Sequence, residues 1–473
     1  MPRMIARPTR REMLKRAAGG FGSLALAGLL SEPTRTEAAI STPADPLAAR
    51  PPHFPAKAKC IIFLYMSGGV SHVDSFDPKP KLFADDGKTV TAAHWRLNKD
   101  VAAYLKQPHW QFRPYGACGT EVSDLFPQIG SCVDDLCVIR SMKGDHTGHY
   151  EATLGIHTGS FNLPRPSMGS WVSYGLGTEN KNLPSFAVIA PQDPYAGKLA
   201  WSSDFLPGCH QGTHIVPGDI PIANMRRRVP LAELQEMELE QLAQMNRHHQ
   251  VHRGAELALE ARIRSFETAF GMQREAPELF DLSQETDATL GLYGIARGQT
   301  TGFGWQCLVA RRMAERGVRF IELIDSGSNS ASNWDAHDNM NTHAALAKNV
   351  DQPIAGLIKD LKARGLLDTT LVVWTTEFGR TPYNAVPNSA GRDHHHEAFS
   401  SLLVGAGVKG GIVHGATDDY GIAVAENKVH VHDLHATILH LMGLDHKRLT
   451  YRYAGRDFRL TDVQGQVIRD ILA

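Results

Sequence analysis

Short apolar runs recur along the chain, each broken by glycine and polar residues. Thr370–Thr375 is rich in β-branched and aromatic residues and reads as a buried strand of a parallel sheet. Cys60–Met66, Leu136–Ser141, Pro184–Ile189, Val318–Leu323 and Ser401–Gly405 have the same character. Between them lie segments with helical signals. One begins near Thr147, one runs from Trp305 to Arg316, one surrounds Ile354–Arg364, and one opens at His432-Asp433 and closes at Gly443. Strands alternating with helices predict an α/β fold. Each predicted strand should end on one common edge, with Leu402–Val404 running the same way as Cys60–Met66. The pattern changes between residues 229 and 271. There Leu259, Ile263, Phe266 and Phe270 fall on one helical face, and Leu231, Leu234 and Leu242 mark an earlier helix. This is a helical insertion that covers the sheet or caps it. Residues 80–130 give no regular pattern.

Strand ends matter because open α/β sheets bind ligands just beyond the carboxyl ends of their strands. The strand at Thr370 runs into Glu377-Phe378-Gly379-Arg380. Cys60–Met66 runs into Ser67-Gly68-Gly69, then Ser71, His72, Asp74 and Asp77. Val318–Leu323 is followed by Asp335-Ala336-His337, an Asp-x-His pair suited to a divalent metal. Asp393-His394-His395-His396-Glu397 precedes the strand at Ser401. His149 sits where a helix begins, so the helix dipole should disfavour its charged form. Asp335, His337, Glu377 and His394 are therefore expected to converge on one cation, with Asp74 and Asp393 as further candidate ligands. His149 and Arg380 are the catalytic candidates. Arg380 or Arg392 should grip an anion through two parallel N–H bonds.

Composition narrows the classes. The chain has 473 residues, 42% apolar and 21% charged, with net charge −1. Without residues 1–38 it holds 42 basic against 47 acidic residues. No basic excess points to nucleic acid. Six scattered cysteines show no zinc-finger spacing and no disulfide framework; Cys118, Cys132 and Cys137 are the closest set for a bridge.

The N-terminus resembles an export signal. Thr9-Arg10-Arg11-Glu12-Met13-Leu14-Lys15 looks like the twin-arginine consensus, and Ala17–Leu30 supplies an apolar stretch too short to span a bilayer. Residues 1–39 are expected to be a signal peptide read by the twin-arginine export machinery. Residues 40–58, with five prolines, are expected to be a linker, and 59–473 the folded domain. That resemblance implies a periplasmic or extracellular protein.

A second resemblance covers about Lys59 to Gly443. The stretches GGVSHVDSFDPKP, RPSMGSWVSYGLG, TTEFGRTP, GRDHHHEAFSSLLVGAGVKGG and VHDLHATILHLMGLD are similar to an exported domain-of-unknown-function family within the alkaline phosphatase/sulfatase-like superfamily. The resemblance implies an alkaline-phosphatase-like three-layer α/β/α sandwich. It implies one or two divalent metals (zinc, manganese or calcium) at strand ends and a small anionic phosphate or sulfate ester as substrate. The superfamily's Asp-His-Gly falls on Glu377-Phe378-Gly379, so Phe378 replaces a ligand. Its first-strand aspartate is replaced by Ser67-Gly68, and the nucleophile position falls on His149. Two functions follow. One is a metal-dependent ester hydrolase; the other is a non-catalytic exported binding or surface protein on the same fold.

Overall fold

The computed structural model describes residues 45–94, 99–223, 232–253, 257–329 and 332–473. The expected signal peptide, with Arg10 and Arg11, lies outside the described residues. Residues 45–58 run against the fold. His53 N–H donates to Gly443 O, and Lys57 and Ala58 N–H both donate to Leu441 O.

The centre is a sheet of nine described strands: β1 (Cys60–Met66), β2 (Leu136–Lys143), β3 (Phe186–Ile189), β4 (Thr213–Ile215), β5 (Phe320–Asp325), β6 (Thr370–Thr375), β7 (Phe399–Val404), β8 (Ile412–His414) and β9 (Val429–His430). Their order across the sheet is β8-β2-β7-β6-β1-β5-β3-β4, and β9 also pairs with β2. β1 is parallel to both β6 and β5, as expected of buried apolar strands. β7 is antiparallel to β6 and to β2. This corrects the sequence expectation for Leu402–Val404. Because β7 runs backwards, the residues before it, including His394, lie at the edge where β1 and β6 end.

The labelled helices are α1 (His149–Thr158), α2 (Met168–Leu176), α3 (Ala232–Arg253), α4 (Leu257–Phe280), α5 (Phe303–Glu315), α6 (Thr342–Ala363) and α7 (Val431–Leu441). Strand side chains alternate between faces. Ile62, Leu64 and Met66 of β1 pack with Trp305, Leu308, Ile354 and Leu357 from α5 and α6. Ile61, Phe63 and Tyr65 pack with Ile156, Trp171, Leu434 and Ile438 from α1, α2 and α7. Two such cores on one sheet make a three-layer α/β/α sandwich.

α3 and α4 are the helical insertion, but the face that packs differs from expectation. Ala261, Met272, Ala276 and Leu279 are buried, whereas Phe266 is 64% exposed. Residues 80–130 are more regular than their sequence predicts. They form small hairpins, Thr89–His94 with Lys99–Leu105 and Phe112–Tyr115 with Thr120–Ser123. All six cysteines are free thiols.

Candidate metal centre

Glu377 stands two residues beyond β6, and its side chain is fully buried. Its carboxylate accepts from Gly68 N–H at 2.8 and 3.1 Å, Tyr65 OH at 3.0 Å and Thr376 Oγ1 at 3.0 Å. His149, the first residue of α1, adds Nδ1 at 2.8 Å from Oε1. With Nδ1–H donating to Glu377, the Nε2 lone pair points away. That Nε2 is buried, makes no hydrogen bond, and lies 3.3 Å from Asp335 Oδ1.

Two more imidazoles meet the same oxygen. His337 Nε2 is 3.2 Å and His394 Nε2 is 3.5 Å from Asp335 Oδ1. His337 Nδ1 is 3.0 Å from Asp393 Oδ1, and His394 Nδ1 donates to Thr147 O at 2.6 Å. Each of the three rings thus has an oxygen acceptor at Nδ1, the arrangement that turns Nε2 inward and would leave its lone pair for a bound ion. His337 Nε2 and His394 Nε2 are only 2.7 Å apart. Two lone pairs at that separation repel unless a positive charge is shared between them. His149, Asp335, His337 and His394 offer ligand atoms that all lie within 4.8 Å of one another. Three imidazoles and a carboxylate are a donor set that fits a first-row divalent ion such as zinc.

Close backbone approach brings Asp335 here. A Cβ on Gly68 would lie 2.5 Å from Trp334 N and 2.7 Å from Asp335 N, and Gly68 has φ +122°. Only glycine lets the end of β1 sit under that loop. Burial alone would raise the Asp335 carboxyl, but His149, His394 and Arg380 outweigh it and hold its pKa far below the usual range. Burial pushes His394 down to about 3, and Arg380 and the neighbouring imidazoles act in the same direction. For His149 burial opposes the charged form, yet Asp335 and Glu377 raise its pKa. This reverses the expectation drawn from the helix dipole.

The other candidates lie elsewhere. Asp74 is fully buried and taken by Arg392 Nε at 2.7 Å, Ser71 Oγ at 2.5 Å and His109 N–H at 2.7 Å. An opposite charge and two further donors leave it no role at the cluster. Glu377 and Asp393 stand behind His149 and His337 as their hydrogen-bond partners, one step out from the position expected of ligands. Neither arginine forms an anion clamp. Arg380 is 0% exposed and donates to Asp335 Oδ1 at 2.7 Å and to the carbonyls of Gly68, Gly69 and Arg392. Arg392 is 1% exposed and, besides Asp74, donates to the carbonyls of Thr381, Lys106 and Gln107. Phe378, at the position of the lost ligand, packs its ring against His394 at 4.5 Å and His149 at 5.0 Å.

Sequence reasoning passed over Tyr195. Its ring stacks on His149 at 3.9 Å and 7°, and its hydroxyl is 3.5 Å from Asp335 Oδ2. The available signal was its place just after Pro194 in the loop that follows β3, on the same sheet edge.

Residues 58–472 match the family described as "Protein of unknown function (DUF1501)". The chain belongs to this family. No curated protein matches the sequence. Among solved structures, DUF1501 as represented here is similar to the PsFucS1 sulfatase from Pseudoalteromonas sp., at 13% identity and TM-score 0.36, covering 92% of this chain and 72% of that one. The phosphonate monoester hydrolase SpPMH from Silicibacter pomeroyi matches at 12% identity and TM-score 0.33, covering 73% and 71%. The alkaline phosphatase from the Antarctic bacterium TAB5 matches at 10% identity and TM-score 0.29, covering 74% and 92%. These superpositions are too loose to carry an argument about activity, so the site's own geometry must do so.

Proposed function

We propose that this DUF1501 protein is an exported hydrolase of phosphate or sulfate esters that depends on one divalent metal held by His149, His337, His394 and Asp335. The observation that carries this reading is the shared tautomer. Three rings, one buried and two partly buried, each have Nδ1 against an oxygen acceptor and Nε2 beside a single carboxylate oxygen. A bound ion of this type would polarise an ester oxygen and lower the pKa of a water. The chain supplies the rest. Glu377 and Asp393 hold two rings in register, and Arg380 fixes Asp335 by its Oδ1. Tyr195 stacks on the His149 ring, and Phe378 packs against His149 and His394. In this reading His149, with a carboxylate at each nitrogen, serves as a ligand rather than as the nucleophile. The attacking group in this reading is water, without a covalent intermediate on a side chain.

One observation favours the non-catalytic alternative. Both arginines expected to grip the substrate anion are buried and committed to protein oxygens. The deciding experiment is metal analysis of the purified chain joined to a screen of aryl phosphates and aryl sulfates. Stoichiometric zinc or manganese with turnover that His394→Ala abolishes supports the hydrolase. Stoichiometric metal with no turnover on either ester class moves the assignment to a binding protein.

A further inference from the structure

α1 carries His149, Thr153 and His157 at i, i+4 and i+8, so the three lie along one face. Each reaches a different part of the sheet. His149 Nδ1 meets Glu377 beyond β6. Thr153 Oγ1 is 2.9 Å from the hydroxyl of Tyr65 on β1, and that hydroxyl donates to Glu377 Oε2 at 3.0 Å. His157 Nε2 is 2.7 Å from Glu322 Oε1 on β5, while its Nδ1–H donates to Thr153 O at 2.7 Å. Tyr65 and Thr153 are 0% exposed, Glu322 1% and His157 2%. The register Phe63–Glu322 sets Glu322 on the face that α1, α2 and α7 cover with apolar side chains.

An ionic pair in such a place is a poor adhesive. Two buried charges lose hydration, and well-packed apolar residues of similar volume often serve stability as well or better. What the pair adds is direction. Apolar contacts tolerate a small slide or rotation of a helix over a sheet, whereas a displaced buried hydrogen bond leaves an unmet polar group. Both His157 nitrogens face oxygen acceptors, so the ring and Glu322 share a proton and the pair is neutral as a unit.

We infer that His157 and Glu322 are positioning residues for the metal centre, acting through the rotation and height of α1. The inference rests on the metal reading above. The pair lies two helical turns from His149, roughly 12 Å along the axis. It anchors the far end of the seam, and the Thr153–Tyr65–Glu377 bonds tie the near end to the ligand ring.

The test uses the full chain loaded with Co(II), read by its visible absorption and by competition with a chelator. The double variant H157L/E322L removes the pair without leaving a lone charge. It should keep its urea midpoint at or above the wild-type value, weaken Co(II) binding about tenfold and change the shape of the absorption band. Glu322→Gln keeps a hydrogen-bonding group at the same place and should restore binding to within about threefold of wild type. A folded double variant with wild-type affinity and spectrum overturns the inference. If the double variant does not fold, Thr153→Ala decides, since it cuts the seam with little loss of packing. Weaker Co(II) binding there supports the inference, and unchanged binding overturns it. A wild-type chain that takes up no Co(II) removes the metal reading itself, and this inference with it.

Discussion

Two groups of histidine and aspartate stand at the same edge of the sheet, and they differ in one respect. His149, Asp335, His337 and His394 form the first; Asp145, His430 and His432 form the second. By residue type either suits a divalent ion. In the first, every Nδ1 faces an oxygen acceptor and every Nε2 faces inward. In the second, His432 N–H donates to His430 Nδ1 at 3.3 Å, as part of the box that caps α7. His430 Nε2 must then carry the proton, and it donates to Asp145 Oδ1 at 2.9 Å. A metal there would have to displace a hydrogen already in use. In the second group the His430 ring is already committed, to the α7 cap through Nδ1 and to Asp145 through Nε2. Tautomer, fixed by the partner of the other nitrogen, separates a prepared site from a list of suitable side chains.

The largest expected effect sets the range in which the two groups can be compared. His210, His343 and His435 lie outside both and are held neutral; burial lowers each to about 3. Their folded-state pKa lies below the unfolded value, so the stability they contribute is full above about 6.5. It is lost as pH falls from there toward 3, by up to a few kcal/mol for each ring. Urea midpoints measured at pH 7, 6, 5 and 4 should decline steadily, and a flat profile would contradict the burial of these rings. Next in size is ligand removal. His337→Ala or His394→Ala should lose stoichiometric metal at pH 7, by more than the roughly 10–100-fold that outer partners cost. Elemental analysis of the dialysed variants reads this directly. Glu377→Gln comes third. Because Glu377 orients His149 from behind, this variant should bind metal about 10–100-fold more weakly and still bind it. Complete loss would return Glu377 to the ligands. The smallest effect belongs to the second group. His430→Ala should cost about 1 kcal/mol of stability through the α7 cap and leave metal content unchanged. A fall in metal content on that substitution would mean that the contrast between the groups is wrong.

Much of this site was visible in one dimension. Asp335 and His337 were marked by an Asp-x-His after a strand, and His394 by its dense histidine run. His149 was marked by its place at a helix start. Each signal is local, and strand ends are where such folds gather ligands. The roles were less visible than the residues. Glu377 and His149 are separated by 228 positions, and nothing in either stretch says which stands nearer the centre. Asp74 and Arg392 are separated by 318, and their pairing removes from the site a carboxylate and an arginine that sequence had placed there. Arg380 read as an anion holder because its guanidinium can give two parallel N–H bonds. Here it is interior, satisfied by three carbonyls and Asp335.

The sequence by itself determined the class. Alternating apolar runs and helical stretches make an α/β fold, because each element must bury its apolar side, and the family resemblance implied the three layers. It also determined which strand ends carry metal-type side chains. Only the tertiary structure decided the direction of β7, which depends on pairing with β6 and β2 rather than on any pattern within Phe399–Val404. It alone decided which nitrogen of each histidine faces the centre. That choice belongs to whatever oxygen lies within 3 Å of the other nitrogen, and those oxygens come from Thr147, Glu377 and Asp393, on three different loops.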